Sequence, residues 1–371
     1  MRIALVVHDL HEHGGHSLYT KILADELSLR HDVTVFANRC ECAVNAGWGF
    51  QPVQAWRVNA LASVHTFPLG LKAHASRLAD FDIRHMQGYC GGQPNVVTAH
   101  ICVAAYLDSL SSINARNRAS LKLMAAAESR FYRRYEGQVI AISQKVANEL
   151  RDFYQAQNEI RIIAHGVDTS RFASSNREQN RSSARAELGI NDKQTVALYV
   201  GDLTKAHTNL KALAAAVPEV QFMIVSRSAR YRWNTPNARF LPPTSELERY
   251  YAAADAFVFP TTYDAFGMVA LEAMASGLPV FSSERAGAAE LIHSGKDGFV
   301  IPLDDWVEAT AAGLRDRERL VAIGREAETA AQKHSWSAVV HEVEQIYSKV
   351  AALESVLGAG EVSSSAYRYQ Q

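Results

Sequence analysis

The chain has 371 residues, 48% hydrophobic and 21% charged, with a formal net charge of -1. That length and balance suit two globular domains of ordinary size, and the near-zero charge leaves no electrostatic footprint for nucleic acid. No apolar run nears the roughly 20 residues that span a bilayer, and the four cysteines (Cys40, Cys42, Cys90 and Cys102) lack metal-ligand spacing and read as reduced thiols of a cytoplasmic protein.

Met1 to Val7 is too short an apolar run for a secretory leader, and Ile3 to Val7 reads as a buried strand. His8 to His16 is a loop containing Gly14-Gly15. His8, His11, His13 and His16 cluster there at a spacing that suits a loop better than one metal-binding helix face. Ser17 to Leu29 has helical periodicity, and Asp32 to Ala37 is the next strand. This is a Rossmann-like opening, although Gly14-Gly15 lacks the G-x-G-x-x-G spacing of a dinucleotide site. The stretch 43–80 carries little pattern.

Phe81 to Gly88 and Asn95 to His100 read as two more strands. His100 ends the second, where ligands of open α/β sheets gather; the alternative is a hydrogen-bonded structural histidine. His85, within the first, is less favoured. From Ala104 to Tyr135 the pattern is helical and basic, with Arg116, Arg118, Lys122, Arg130, Arg133 and Arg134 interleaved with apolar residues and only Asp108 and Glu128 opposing them. Two readings stand for this stretch: a face lying on anionic lipid, or a solvated helix surface. Val139 to Ser143 is a strand ending at a helix N-cap, Ser143, and Ile160 to Ile163 is the last strand of this half. The polar run from Ala173 to Ser183 reads as a linker.

The second half restarts the pattern. Thr195 to Val200 is a strand with Gly201 to His207 as its loop, and Phe222 to Val225 is another, followed by Arg227. Ala256 to Phe259 is a short buried strand stopped by Pro260. A polar turn, a helix from Met268 to Ala275 ended by Ser276-Gly277, and a second buried strand complete a βαβ unit. Gly267 lets the backbone come close to a ligand, and the first amides of that helix favour an anion. Asp264 and Glu272 flank this anion site. Two carboxylates repel a bare phosphate but suit a ligand that carries both phosphate and hydroxyl groups, as a nucleotide sugar does. Gly358 to Gln371 is small and polar and reads as a disordered tail.

Asp264-x7-Glu272, with Phe266-Gly267 and Glu272-Ala273-Met274-Ala275-Ser276-Gly277-Leu278-Pro279-Val280, resembles the E-x7-E signature of retaining glycosyltransferases of the GT-B fold, and most of all their family four. His165-Gly166-Val167-Asp168 with Phe172, and Gly287 with Glu290-Leu291-Ile292, extend the match. The resemblance implies an α/β GT-B protein of two Rossmann-like domains with the donor in the cleft between them. The acceptor domain would span 1–165, with helix 336–355 returning to it, and the donor domain 166–335. The implied reaction moves a hexose from a nucleotide sugar, a UDP-sugar being favoured, to a hydroxyl of a glycan, a lipopolysaccharide core or another glycoconjugate. Anomeric configuration is retained through front-face attack, in which the leaving phosphate takes the acceptor's proton.

By resemblance, Asp264 and His100 attend the donor sugar and Glu272 the nucleotide ribose. The amides of Gly14-Gly15 and of the turn Phe266, Gly267, Met268 and Val269 face the sugar and diphosphate. Two positions depart from the family. The first acid is Asp264, one methylene shorter than Glu. After Gly201 stands Asp202 in place of a phosphate-clamping Arg, which leaves Lys205 as the cation for the leaving group and Arg227 as the candidate for the missing clamp. There is no D-x-D motif, so neither a metal nor another cofactor is expected. The stretch leading into Arg133-Arg134 also resembles members that glucosylate lipopolysaccharide core at the inner membrane, which implies a peripheral site on the inner face of the plasma membrane. Three other readings are a GT-B epimerase or phosphorylase, a nucleotide-sugar-binding protein with weakened catalysis, and a membrane scaffold.

Overall fold

The structure is a computed structural model and describes residues 1–11, 15–42, 47–56, 60–110, 113–228 and 231–366. The chain divides into two compact units, residues Met1–Ile163 with Val339–Gln371, and Ala164–Ala338.

Unit 1 runs β1 (Arg2–Val6), α1 (Gly15–Leu27), β2 (Asp32–Ala37), β3 (Trp48–Pro52), α2 (Ala60–Lys72), α3 (Ala75–Ala79), β4 (Ile83–Gln87), β5 (Val96–Ala99), α4 (Val103–Ser109), α5 (Ala115–Tyr132), β6 (Gln138–Ala141), α6 (Gln144–Tyr154) and β7 (Ile160–Ile162). Its sheet has the order β3-β2-β1-β4-β5-β6-β7, and every pairing is parallel. A parallel sheet is covered on both faces, which is why β1, β2, β5 and β6 read as near-continuous Val, Ile, Leu and Ala runs. Ile3, Leu5, Val35, Val97 and Ile140 are fully buried. Ser143 caps α6 by accepting a hydrogen bond from the Val146 N–H at 3.1 Å.

Unit 2 runs α7 (Ser174–Glu187), β8 (Val196–Val200), α8 (His207–Ala216), β9 (Gln221–Val225), β10 (Ala238–Leu241), α9 (Glu248–Ala253), β11 (Ala256–Phe259), α10 (Met268–Ala275), β12 (Val280–Ser283), β13 (Phe299–Ile301), α11 (Trp306–Leu314) and α12 (Arg317–Ala331). The order of its parallel sheet, β10-β9-β8-β11-β12-β13, repeats the arrangement of unit 1 around a new first strand. The last helix, α13 (Trp336–Ala366), begins in unit 2 and belongs to unit 1 from Val339 onward. There Tyr347 bonds His85, Glu344 pairs with Arg30 and His31, and Glu354 pairs with Arg84.

One expectation is corrected. The polar run 173–183 is not a linker but most of α7, which packs on α9. Its stabilising contacts are ionic and escape a hydrophobic pattern: Arg181 and Arg185, one turn apart, both reach Asp255 at the start of β11, and Arg185 is only 1% exposed. At the other end α13 runs to Ala366, and 367–371 lie outside the described residues.

Candidate functional site

In an open parallel sheet, loops splay apart where the strand order reverses, and a crevice opens at the carboxyl ends of the strands. In unit 2 the reversal falls between β8 and β11. The loop after β8 makes a turn of 3-10 helix over Leu203–Lys205. Asp202 accepts a hydrogen bond from the Thr204 N–H at 3.0 Å, and its carbonyl accepts one from the Tyr199 hydroxyl at 2.9 Å. The acid standing where the resemblance implies an arginine is thus the cap of this turn. The Lys205 carbonyl accepts from the Thr262 N–H at 2.9 Å, tying the two crevice loops together, and the Lys205 ammonium lies 5.9 Å from the Tyr263 ring centroid.

The loop after β11 is pinned from its other side. Asp264 N–H donates to the Arg285 carbonyl, Gly287 N–H to the Asp264 carbonyl, and Ala288 N–H to the Phe266 carbonyl, at 3.1, 3.1 and 2.6 Å. The Asp264 carboxylate accepts from the Phe266 N–H at 3.2 Å, so that amide is already engaged within the loop. The amides of Gly267, Met268 and Val269 stand at the start of α10, ahead of the Ala270 N–H bond to the Gly267 carbonyl. Gly267 has φ 94°, and a Cβ there would stand 2.8 Å from the Phe259 ring, so only glycine fits this approach.

Glu272 lies on the second turn of α10 and is partly buried. Its Oε2 accepts from the Tyr251 hydroxyl at 2.9 Å. Burial pushes its carboxyl up to about 7, outweighing the downward pull of Tyr251 and of the Arg171 charge. Tyr251 in turn packs edge-on against Phe172, with ring centroids 5.7 Å apart. Asp168 caps the intervening turn by accepting from the N–H groups of Ser170 and Arg171. The segment His165 to Phe172 therefore supports the residue that supports Glu272. Further along the same crevice, Gly201, Asp202, Thr204, Ser226, Arg227 and Thr244 line a pocket of about 600 Å³. Lys205 lies outside its lining, so Arg227 and Lys205 stand at different stretches of the crevice.

In unit 1 the strand order reverses between β1 and β4. A pocket of about 520 Å³ opens there, with His8 and Asp9 after β1, Gln87 and Gly88 at β4, and His100 after β5. His100 Nε2 is 2.9 Å from Gln87 Oε1, and its ring meets Tyr19 edge-on at 5.0 Å. Gly15 is the first residue of α1, and Gly14 lies outside the described residues. The disfavoured histidine, His85, is fully buried between Tyr347 and Thr98, at 2.6 and 2.7 Å, and holds α13 in place. Glu128, grouped by its sequence with an exposed basic face, is instead 6% exposed and lines the pocket. It accepts from the Tyr154 hydroxyl at 2.7 Å and the Val103 N–H at 3.1 Å, and burial raises its carboxyl to about 7. The only sequence sign of Gln87 was its position at the end of a switch-point strand, and Glu128 left none.

No disulfide joins the four cysteines, and no group of three or more His, Cys, Asp or Glu among the described residues is placed to hold a metal ion.

Family models match both units: "Glycosyltransferase Family 4" over residues 13–171, and "Glycosyl transferases group 1" over residues 194–317. The chain belongs to glycosyltransferase family 4. Relatives of this family 4 chain include a D-inositol 3-phosphate glycosyltransferase of Nocardia farcinica, 27% identical over 75% of this chain and 68% of the relative. One of the same name from Rhodococcus opacus is 27% identical over 66% of this chain, which spans 59% of that relative's length. The GT-B fold is that of WaaG, a glycosyltransferase involved in lipopolysaccharide biosynthesis (TM-score 0.78, 19% identity, 93% of this chain and 99% of that one). It is also that of Anabaena HepE solved with UDP-glucose (TM-score 0.71, 19% identity, 94% of this chain and 100% of that one).

Proposed function

We propose that this glycosyltransferase moves a hexose from a UDP-sugar to a hydroxyl of a glycan or other glycoconjugate, with retention of configuration and without a metal. The observation that carries the reading is the β8–β11 crevice, where the hydrogen-bonded loops that hold Lys205 and Asp264 lead to the start of α10, with Glu272 on its second turn. The helix start and Lys205 meet the charge that develops on the leaving diphosphate. The Glu272 carboxylate accepts the ribose hydroxyls, with Tyr251 fixing its direction. Asp264 and His100 attend the transferred sugar, and Arg227 with Gly201 borders the nucleotide. No carboxylate is needed as a base, since the departing phosphate oxygen takes the acceptor's proton as the new glycosidic bond forms. The UDP-glucose complex of HepE, a protein of the same fold, supports the choice of donor.

The test is UDP release from UDP-sugars with and without EDTA, with the product's anomeric configuration read by proton NMR. Activity lost to EDTA, or an inverted product, would refute the corresponding part of the reading. A second reading, a nucleotide-sugar-binding protein with weakened catalysis, draws on Asp202 and Asp264, whose carboxylates are both occupied by backbone amides. Steady turnover of any donor excludes it. Peripheral attachment to anionic membrane rests on exposed Arg116, Lys122, Arg130, Arg133 and Arg134, beside Leu123 at 61% exposure. Co-sedimentation with phosphatidylglycerol vesicles that survives reversal of these charges would refute it. Among the described residues no helix is long and apolar enough to cross a membrane.

A further inference from the structure

The pocket of unit 1 has a character that its relatives' names do not suggest. Its lining includes five histidines (His8, His11, His16, His65 and His100) and two carboxyl groups, Asp9 and Glu128, but no lysine or arginine among the described residues. Neither His8 nor His16 supplies the missing charge. Burial presses His8 down to about 3 and holds His16 below its usual range, so both are neutral at physiological pH. Val64, Leu69, Ile101 and Met124 supply an apolar wall.

Two polar atoms on the lining are without partners among the described residues. Gln87 is 2% exposed and its Nε2 makes no hydrogen bond; His8 Nε2 makes none either. A buried amide nitrogen left unpaired costs on the order of 1–3 kcal/mol, which a ligand oxygen recovers. Cations do occur nearby. Arg130 and Arg134 line a neighbouring pocket that shares Tyr89 and Ala127 with this one, so anionic groups are matched beyond Tyr89 rather than inside.

We propose that this pocket takes an uncharged, hydroxyl-bearing acceptor unit with an apolar face or tail, its oxygens meeting Gln87 Nε2 and His8 Nε2, and that it excludes a phosphorylated ring. This rests on the glycosyltransferase reading and gives that reading an acceptor class. It separates this chain from the phosphorylated polyol in the names of its relatives.

The experiment compares hexyl β-D-glucoside, its 6-phosphate and D-inositol 3-phosphate. Binding to the full chain is measured by saturation-transfer NMR without donor, and turnover by UDP release with UDP-glucose. The expected result is that the uncharged glucoside binds at least about tenfold more tightly than either phosphate, the scale of one hydrogen bond gained and one repulsion avoided. Gln87→Ala should raise the glucoside's Kd about fivefold to tenfold and leave the thermal shift by UDP, which carries no sugar for His100 to meet, unchanged. Leu69→Arg, at a site 65% exposed and so tolerant of a long polar side chain, should close most of the gap by improving the 6-phosphate. Phosphates that bind as tightly as the glucoside, or a Gln87→Ala variant with unchanged Kd, would overturn the proposal. If UDP-glucose gives neither shift nor turnover, the transferase reading fails, and the NMR preference still decides the chemistry of the pocket.

Discussion

Glu272→Gln separates folding from donor binding. In the folded protein this carboxyl holds its proton up to about pH 7, against 4.5 without the protein's influence. The stability this contributes is complete below pH 4.5 and is lost as pH rises through 7. A shift of that size corresponds to about 3 kcal/mol, at about 1.4 kcal/mol per pH unit. Glutamine can present its carbonyl oxygen to the Tyr251 hydroxyl but never ionises. Without nucleotide, the variant should therefore lie within about 1 kcal/mol of the wild type at pH 5 and exceed it by about 3 kcal/mol at pH 8.5.

Donor binding should move the opposite way. The ionised carboxylate is the better acceptor for ribose hydroxyls, and replacing it should weaken a UDP-sugar about 10-fold to 100-fold at pH 8. In the wild type, only about a tenth of Glu272 is ionised at pH 6, so Kd should rise about tenfold between pH 8 and pH 6; in the variant it should stay flat. A UDP-sugar suits the titration because its diphosphate has no proton to lose near neutrality. Urea unfolding and isothermal calorimetry across pH 5–8.5 measure both quantities. If the stability difference between the two proteins does not change with pH, or if donor binding is equal, the assignment of Glu272 is wrong.

Lys205→Ala should lower kcat for sugar transfer on the order of a hundredfold while leaving the melting temperature within a degree or two, as measured by UDP release and calorimetry. Gly267→Ala forces a Cβ toward Phe259 at positive φ and should cost roughly 1–3 kcal/mol in unit 2, with loss of the thermal shift by UDP. Arg185→Ala removes a buried partner of Asp255 and should destabilise unit 2 by about 3 kcal/mol; a protein that still folds should bind UDP-sugar normally, which marks the residue as structural. Glu128→Gln keeps an acceptor for Tyr154 and Val103, since both bonds go to one oxygen, and should stabilise unit 1 increasingly as pH rises from 5 to 8, by under about 1 kcal/mol at pH 5, as read by chemical denaturation.

Most of the architecture was legible because a parallel sheet writes its strands as short apolar runs. Ala256 to Phe259 and Asp32 to Ala37 have the bounds their composition implies. The turn at Gly267 was legible too, since positive φ and a close approach demand glycine there. What escaped were residues whose environment depends on distant partners. Asp202 looked like a charge mismatch until its side chain proved to cap a local turn. Glu128 sits in a basic helix by sequence but faces Tyr154, 26 positions away. α7 looked like a linker because its anchors are arginines reaching an aspartate some 70 residues on. Periodicity sees apolar faces, and each of these contacts is polar.

The return of the chain to unit 1 at Val339 bears on how the protein is made. All of unit 2, Ala164 to Ala338, is synthesised between the two parts of unit 1. At about 5–20 residues per second, roughly 10–35 s separate the emergence of β7 from that of the final helix. Throughout that interval His85 has no Tyr347, and Arg30 and His31 have no Glu344. The first-made unit must therefore wait on the ribosome incomplete, with an apolar seam uncovered, while the later-made one can already close. Unit 2 is in this sense an insertion, and the nascent chain is most exposed to chaperones and proteases at the side that α13 eventually seals.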